Sequence, residues 1–273
     1  MKQLAYFPVC ALAIILNSVT LAAPQCPSAG SPQKDTFPDT RVNGPAPGKR
    51  FRLDHWKLTL PTSSKNTYEG HPKEVSAAEL ADGFKAPHFY INKNGEMVFW
   101  CPVVGCKTEG TRFPRSELRE MLEPGNPRSN WSFPGQHELR ASCRIINVPS
   151  NPKVVFGQIH SFSGKARPLV KLQYFRNRVE ALVKESPTRG NDRKFIFPDI
   201  ALGNRIDWAI RLTDGVLSIT VNSTTQSVNV RKLDEEWADQ TFYFKAGAYS
   251  LDNDGNVTEG ARVAFSRLQV SHN

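Results

Sequence analysis

The sequence predicts an all-β sandwich of two antiparallel sheets with few short helices. Short runs of alternating apolar and polar residues dominate the chain, and a period of two is typical of half-buried strands. Asn94-Gly95 and Asp214-Gly215 lie between such runs, and both dipeptides favour the tight turns of β-hairpins. Many short strands joined by turns indicate a sandwich.

The N-terminal residues predict a secretory signal peptide. Lys2 precedes an apolar run at residues 9–16, and small residues follow around Ala22. The apolar run is too short to cross a membrane as a helix, and this layout is typical of a signal peptide cleaved after Ala22. A buried N-terminal helix is the alternative. We therefore expect a secreted, extracellular protein.

The chain divides into three predicted segments. Residues 1–22 form the signal peptide, and residues 23–50, which carry many proline and glycine residues, form an extended N-terminal arm. Residues 51–273 contain no internal repeat and no linker that would favour two domains, so we expect a single β domain. No stretch after the signal is apolar enough to span a membrane, and we expect no membrane partner.

Four of the five cysteines remain once Cys10 leaves with the signal. An even number in a secreted chain indicates two disulfides, for which three pairings are possible. Cys101 and Cys106 flank a short turn-prone segment, so we favour this pair and pair Cys26 with Cys143. Free buried thiols are the alternative. Metal ligation is not expected, because no Cys-x-x-Cys motif or histidine cluster accompanies the cysteines.

Three triplets match the acceptor pattern for N-glycosylation. They begin at Asn130, Asn222 and Asn256. They predict glycosylation only if the source is eukaryotic.

One helix is clearly predicted, and it begins after Ser76. Ser76 and Glu79 have the spacing of a capping box, while Val75 and Leu80 have that of a hydrophobic staple. Gly83 follows as a stop signal. These signals predict a helix of about two turns.

The chain carries an excess of positive charge. The formal net charge is +9, and +8 remains once Lys2 leaves with the signal. Such an excess attracts polyanions over long range. Because the chain has no nucleic-acid-binding motif, we expect an acidic polysaccharide as partner and no nucleic acid. A basic surface that only keeps the protein soluble is the alternative.

Three predicted strands carry large polar side chains on one face and apolar side chains on the other. Alternate residues of a strand share a face and lie about 7 Å apart. The polar faces hold Arg115, Glu117 and Arg119 in the first strand, Gln158 and His160 in the second, and Tyr243, Lys245, Gly247 and Tyr249 in the third. If the strands share one sheet, they form a polar floor on an apolar core. An exposed ladder of ion pairs is the alternative.

Five motifs along the chain point to a known family. They are WKLTLP (56–61), MVFWCPV (97–103), RSELREM (115–121), QIH (158–160) and YFKAGAY (243–249). The last three resemble the signature strands of the alginate lyases of polysaccharide lyase family 7, and the first two also resemble that family. The resemblance covers most of the chain after residue 50. It implies a β jelly roll with a concave groove that cleaves alginate. Because the chain has no cluster of metal ligands, we expect cleavage without cofactor or metal. We also expect a monomer.

The polar residues suit the cleavage of a uronate polymer by β-elimination. A base removes the proton at C5 beside the carboxylate, and the 4-linked sugar leaves. Arg and Gln can neutralise the carboxylate, His suits a base near neutrality, and a Tyr hydroxyl suits protonation of the leaving oxygen. All four residue types lie on the predicted polar faces.

The resemblance assigns a role to each of these residues. Arg115 and Gln158 match the residues that bind and neutralise the substrate carboxylate. His160 matches the neighbour that shares this task or acts as base, and Tyr249 matches the acid or acid/base. The residues that we expect to bind and position the substrate are Glu117, which would lie between cations, Arg119 and Lys245.

Other functions compete with this interpretation. A glycoside hydrolase needs two carboxylates about 5–9 Å apart that face one bond, but Glu117 and Glu120 are three positions apart and face opposite sides of a strand. A non-catalytic polysaccharide-binding module would not need Gln158, His160 and Tyr249 together. A lyase acting on another uronan, such as glucuronan, is a third possibility.

Two positions bear on the preferred uronate. In the family that the chain resembles, Ile between Gln and His is associated with guluronate-containing blocks and Val with mannuronate, so Ile159 predicts action on guluronate-containing blocks. Ile159 is expected to point into the core, so its influence would be indirect. Ser250-Leu251 replaces the usual Asn-Gln after the third motif, which bears on the subsites. We expect endolytic cutting.

Overall fold

The computed structural model describes residues 44–163 and 167–273. Sixteen strands lie in these ranges. In chain order they are β1 (Trp56–Thr59), β2 (Glu74–Val75), β3 (Phe89–Ile91), β4 (Met97–Pro102), β5 (Arg115–Glu120), β6 (Trp131–Ser132), β7 (Gln136–Asn147), β8 (Lys153–Ser161), β9 (Pro168–Phe175), β10 (Val179–Lys184), β11 (Asp192–Phe197), β12 (Arg205–Thr213), β13 (Val216–Val221), β14 (Thr224–Asn229), β15 (Thr241–Ser250) and β16 (Gly260–His272). The predicted signal peptide and most of the predicted arm lie outside the described residues. That residues 51–273 form one domain stays a prediction.

The strands form two antiparallel sheets, which confirms the predicted sandwich. Within the described residues the first sheet has nine strands, in the order β11-β10-β9-β8-β15-β5-β1-β2, with β6 also pairing with β15. The second has seven, in the order β14-β13-β12-β7-β16-β4-β3. Adjacent strands such as β8, β15 and β5 are distant in the sequence, as in a β jelly roll. The fold is therefore the jelly roll that the motifs implied.

Both predicted hairpins are present. Asp214-Gly215 joins β12 to β13 with φ values of 46° and 83°, and such a two-residue turn requires positive φ at both positions. Asn94-Gly95 lies in the loop between β3 and β4, where Gly95 has a φ of 78°. Local turn chemistry was thus a sufficient signal for these two connections.

The predicted helix is α1 (Ala77–Asp82). Glu79 N donates to Ser76 Oγ at 3.2 Å and Ser76 N donates to Glu79 Oε2 at 2.8 Å, which closes the capping box. Gly83 follows with a φ of 110°. The described residues contain two further short helices of the 3-10 type, Pro47–Lys49 and Glu235–Asp239. No helix in the described ranges has the length and hydropathy needed to cross a membrane.

The hydrophobic core lies between the two sheets. Phe156 of β8 packs edge-on against Trp208 of β12, with ring centroids 5.6 Å apart. Gly157 makes room for the indole, because a Cβ at this position would lie 2.5 Å from Trp208 Cη2. Ile159 is fully buried in the same core, as expected. The opposite face of β8 carries Gln158 and His160.

The predicted disulfide between Cys101 and Cys106 is wrong. Cys101, Cys106 and Cys143 are all buried free thiols. Cys101 points into the core from β4, where burial raises the pKa of its thiol to about 12. Cys106 lies in the following loop and contacts the backbone of another loop, so the two thiols have different surroundings. Cys26, the predicted partner of Cys143, lies outside the described residues.

Candidate active site

Three neighbouring strands in the middle of the first sheet bring the predicted polar residues together. β15 lies between β5 and β8. Its register places Tyr249 opposite Arg115 and Tyr243 opposite His160, with Lys245 between them in the strand. The resulting surface is called the polar face, and its side chains are those of Arg115, Glu117, Arg119, Gln158, His160, Tyr243, Lys245 and Tyr249.

Glu117 is the centre of a buried charge network. Its fully buried carboxylate lies 2.5 Å from the Lys245 ammonium and 3.3 Å from the Arg115 guanidinium, and the Gln158 amide donates to it at 2.5 Å. Burial alone would raise the pKa of Glu117, but the charges of Lys245 and Arg115 outweigh this effect and lower the pKa. Glu117 thus lies between cations, as expected. Because the network is buried, it is not an exposed ion ladder.

Lys245 points at Glu117, whereas the sequence suggested a cation directed toward substrate charge. Its side chain is only 10% exposed, and a buried ammonium without a partner would be costly. Burial lowers the pKa of Lys245 to about 8, although the charge of Glu117 opposes the shift. The structure therefore links Lys245 to the charge balance of the polar face, and direct contact with substrate stays a prediction.

Gly247 allows β15 to approach β5 closely beside Glu117. Its φ is 154°, and a Cβ would lie 2.5 Å from the Ser116 carbonyl oxygen and 2.7 Å from Glu117 Cα. Because both contacts are with main-chain atoms, no side chain can be accommodated without moving a strand. The sequence placed Gly247 on the polar face without showing this steric role.

His160 is held in one tautomer. Its Nδ1 lies 2.8 Å from the Ser161 carbonyl oxygen, and because a carbonyl only accepts, Nδ1 carries the proton and Nε2 is the basic atom. Burial, followed by the nearby charge of Lys245, lowers the pKa of His160 to about 3, so the ring is neutral at neutral pH. Tyr243 stacks on the imidazole at a centroid distance of 5.3 Å. The ring is therefore fixed in orientation.

Arg115 and Tyr249 form a cation–π pair on the polar face. The guanidinium carbon lies 4.0 Å from the centre of the Tyr249 ring. Burial raises the pKa of Tyr249, with Arg115 opposing the shift, so the phenol keeps its proton at neutral pH and can donate it. Arg115 Nε is buried and has no hydrogen-bond partner within the described residues. The described residues therefore leave one donor of this guanidinium, its Nε–H, without an acceptor.

Arg119 is bound mainly by other protein groups. Its guanidinium donates to the carbonyl oxygens of Glu120 and Pro127 at 2.7 and 2.6 Å and to Asn130 Oδ1 at 2.7 Å. The cation also lies 4.0 Å from the centre of the Tyr243 ring. Arg119 therefore anchors the loop after β5 beside the polar face. Its predicted contact with substrate charge stays a prediction.

The contact with Asn130 was missed by sequence reasoning, which found only a glycosylation triplet at that position. Asn130 is half-buried, and its amide also donates to the Arg128 carbonyl at 3.0 Å. Asn222 and Asn256 are exposed. An attached glycan would thus be compatible with the surroundings of Asn222 and Asn256 but would disrupt the contacts of Asn130.

A row of mostly basic residues crosses the first sheet through the polar face. Directly paired residues on neighbouring strands share a face. From β1 to β11 the row contains Lys57, Arg119, Lys245, Gln158, Lys171, Leu182 and Lys194. Six strand-to-strand steps of about 4.8 Å make the row roughly 29 Å long. Basic side chains therefore lie on both sides of Lys245 and Gln158, and the outermost two, Lys57 and Lys194, are paired with Glu74 and Glu180.

The chemistry that this face offers is binding of negative charge and proton transfer. In the part of the chain that the structure describes, no group of three His, Cys, Asp or Glu side chains is arranged to hold a metal ion. The available groups are three buried cations, a buried carboxylate, a carboxamide, a neutral imidazole and two protonated phenols.

Comparisons with known proteins identify relatives over most of the chain. The sequence model of the alginate lyase family matches residues 51–272. An alginate lyase from Klebsiella pneumoniae is 28% identical over 288 residues, which cover 85% of this chain and 93% of that protein.

Solved structures are similar in both sequence and fold. Alginate lyase A1-II', a member of polysaccharide lyase family 7, is 38% identical with a TM-score of 0.77, covering 83% of this chain and 98% of that one. An alginate lyase from Pseudomonas aeruginosa is also 38% identical, with a TM-score of 0.73 and coverage of 81% and 99%. The matched residues include every strand of the polar face. This chain therefore belongs to the alginate lyases of polysaccharide lyase family 7.

Proposed function

We propose that this protein cleaves the 4-O-glycosidic bonds of alginate by β-elimination and leaves unsaturated uronate ends. The observation that carries the proposal is the presence, on one face, of groups that neutralise a carboxylate and groups that move a proton. These are Arg115, Gln158, His160 and Tyr249. A variant of A1-II' has been solved with the substrate GGMG, at 37% identity and a TM-score of 0.77, which supports alginate as the substrate.

The first step would be neutralisation of the substrate carboxylate. Arg115 supplies a charge and Gln158 an amide donor, and both are held in place by Glu117. Stabilising negative charge on the carboxylate makes the C5 proton more acidic, because the carbanion formed by its loss spreads onto the same oxygens. This step needs preorganised donors and no water molecule.

Proton transfer would follow between the sugar, His160 and Tyr249. His160 Nε2 has a lone pair available, and a bound carboxylate nearby would favour the protonated ring and so raise its basicity. Tyr249 keeps its proton and can give it to the leaving oxygen at C4. Which group takes the C5 proton would depend on the uronate epimer, since that proton then lies on opposite sides of the ring.

A glycoside hydrolase mechanism finds less support. Glu117 is on the polar face and is bound to cations, whereas Glu120 faces the interior and accepts from Trp131 Nε1 at 3.1 Å. Because these carboxylates point to opposite sides of β5, they cannot act on the same bond.

The row of basic residues across the sheet supports internal cleavage. A polymer needs binding groups on both sides of the bond to be cut, and the row continues past the polar face in both directions. We therefore propose endolytic cutting. We also propose action on guluronate-containing blocks, on the strength of Ile159, and secretion, on the strength of the N-terminal residues.

The test is digestion of polymannuronate, polyguluronate and glucuronan by the secreted protein. Ultraviolet absorbance of the new C4–C5 double bond and product masses should identify elimination on the alginate blocks. Products that have gained water would contradict the proposal. Comparing Ile159→Val with wild type on the two alginate blocks would test the proposed preference.

Two variants test the assigned roles. His160→Ala and Tyr249→Phe should each lower kcat by about 100- to 10,000-fold, the usual contribution of a general acid or base. Tyr174→Phe is a matched control, because Tyr174 is buried in the core away from the polar face. Wild-type rates in the first two variants would contradict the roles.

A further inference from the structure

Lys171 differs from the other lysines in the row of basic residues that crosses the first sheet. It lies on β9, directly opposite Gln158 of β8. The other lysines of the row each form an ion pair with a glutamate: Lys57 with Glu74 at 2.5 Å, Lys245 with Glu117 at 2.5 Å and Lys194 with Glu180 at 3.4 Å. Lys171 forms no ion pair and no hydrogen bond through its side chain with any residue that the structure describes.

The side chain of Lys171 lies on the same side of the sheet as the polar face. Its neighbours in the chain, Val170 and Leu172, are fully buried in the core between the sheets, so Lys171 points away from that core. Residues that pair directly on antiparallel strands have Cβ atoms about 5 Å apart on one face. Gln158 is therefore the group of the polar face that lies next to Lys171.

The Lys171 ammonium is held partly out of water. The residue is half-buried, and burial lowers its pKa, while the charge of Asp192 opposes this shift and that of Lys184 adds to it. Asp192 is not a free partner for Lys171, because Lys184 binds its carboxylate at 2.6 Å. An ammonium that has lost part of its hydration and has no partner is unfavourable. An anion that binds here would supply the missing interaction.

We propose that Lys171 binds a second carboxylate of the uronate chain, on the β9 side of the carboxylate that Arg115 and Gln158 neutralise. This inference rests on the proposed function of the polar face. Neighbouring strands lie about 4.8 Å apart, so a chain that crosses the sheet from Arg115 over Gln158 next passes over β9. A carboxylate at this point can bind Lys171 without breaking any ion pair of the row. Lys171 is thus a substrate-binding residue with no part in proton transfer.

Two substitutions of Lys171 test this role in catalysis. Lys171→Met keeps an unbranched side chain but removes the charge. Its KM on alginate should be about 10- to 100-fold higher than that of wild type, as expected for the loss of one hydrogen bond to a charged group, with little change in kcat, because the lost contact does not involve the reacting atoms. Lys171→Arg keeps the charge and should restore most of the affinity. A wild-type KM in Lys171→Met would overturn the proposal.

Stability distinguishes substrate binding from a structural role. Because Lys171 has no partner within the described ranges, Lys171→Met removes a poorly hydrated charge and breaks no contact. The variant should therefore unfold at the same urea concentration as wild type or at a higher one. A clearly lower midpoint would show that Lys171 supports the fold and would contradict the proposal.

Lys93→Met is the matched control for net charge. Lys93 is exposed in the loop between β3 and β4 of the second sheet, and its replacement removes the same unit of charge as Lys171→Met. It therefore measures the long-range attraction of a polyanion alone. Its KM should stay close to that of wild type. If Lys93→Met raises KM as much as Lys171→Met does, the effect is general attraction and the proposal fails.

Calorimetric titration with saturated oligouronates separates failure of this proposal from failure of the proposed function. In a Tyr249→Phe background, which should not cleave the oligomers, Lys171→Met should weaken their binding by about 10- to 100-fold. Equal affinity with and without Lys171 would overturn the proposal, even if the wild type is an active alginate lyase. If the wild type makes no unsaturated products, the proposed function fails, while the difference in affinity still decides whether Lys171 binds a carboxylate. A protein that binds no oligouronate would contradict both.

Discussion

Replacing Glu117 by Gln is expected to lower both stability and activity. The substitution keeps the shape of the side chain but removes the charge that partners Lys245 at 2.5 Å and Arg115 at 3.3 Å. The side chains of these two cations are only 10% and 9% exposed, so water can replace little of the lost interaction. Removing one partner of a buried ion pair costs about 3–5 kcal/mol. For a domain of this size, that corresponds to a fall in Tm on the order of 10 °C.

The loss of stability should depend on pH in a defined way. The pKa of Glu117 in the folded protein is below its ordinary value of 4.5, so its contribution is present above that pH and is lost as the pH falls through the folded-state pKa. The pKa of Lys245 is about 8, so at higher pH the wild type loses the cation that Glu117 partners. The stability difference between wild type and variant should therefore be largest between about pH 4.5 and pH 8.

The assay is urea unfolding of both proteins within this pH window and on either side of it, together with rates on alginate. Glu96→Gln is the control, because Glu96 is also buried and paired, with Arg144 at 2.5 Å, but packs against the second sheet. It should lower stability and leave kcat and KM unchanged. A Glu117→Gln variant within about 1 kcal/mol of wild type, or a difference that does not change with pH, would refute the reasoning.

Three further predictions follow from the fold and the charge. Gly157→Ala should lower the free energy of unfolding by about 1–3 kcal/mol, because its Cβ would lie 2.5 Å from Trp208 Cη2. Urea unfolding of the variant at the same free energy as wild type would contradict this. Ser76→Ala should lower it by about 1 kcal/mol through loss of the capping box, and a change in kcat/KM would show that α1 acts on the site. Raising salt from about 0.1 to 1 M shortens the Debye length from about 10 to 3 Å. The attraction between the protein and a polyanion is then screened, so KM should increase while kcat changes less. A KM that does not depend on salt would contradict a role for the net charge of +9.

The polar face could be predicted from the sequence because the alternation of a strand is local. Arg115, Glu117 and Arg119 share a face whatever the rest of the chain does. The same holds for the capping box of α1 and for the turn at Asp214-Gly215, whose interactions span only a few residues. The disulfide prediction failed because closeness in sequence does not show where two side chains point. Cys101 belongs to a strand that faces the core, and Cys106 to the loop that follows it.

Residue type and alternation thus determine which side chains of this protein can share one face of a strand. The same residues form the motifs that identify its family. Only the tertiary structure decides which charges meet, because that depends on strand order and on contacts between distant parts of the chain. It places β15 between β5 and β8, so that Lys245 neutralises Glu117. It also brings His272 to Glu120 at 2.7 Å from the other sheet. The sequence around each partner does not predict such contacts, because each partner lies in a stretch with the ordinary pattern of a strand.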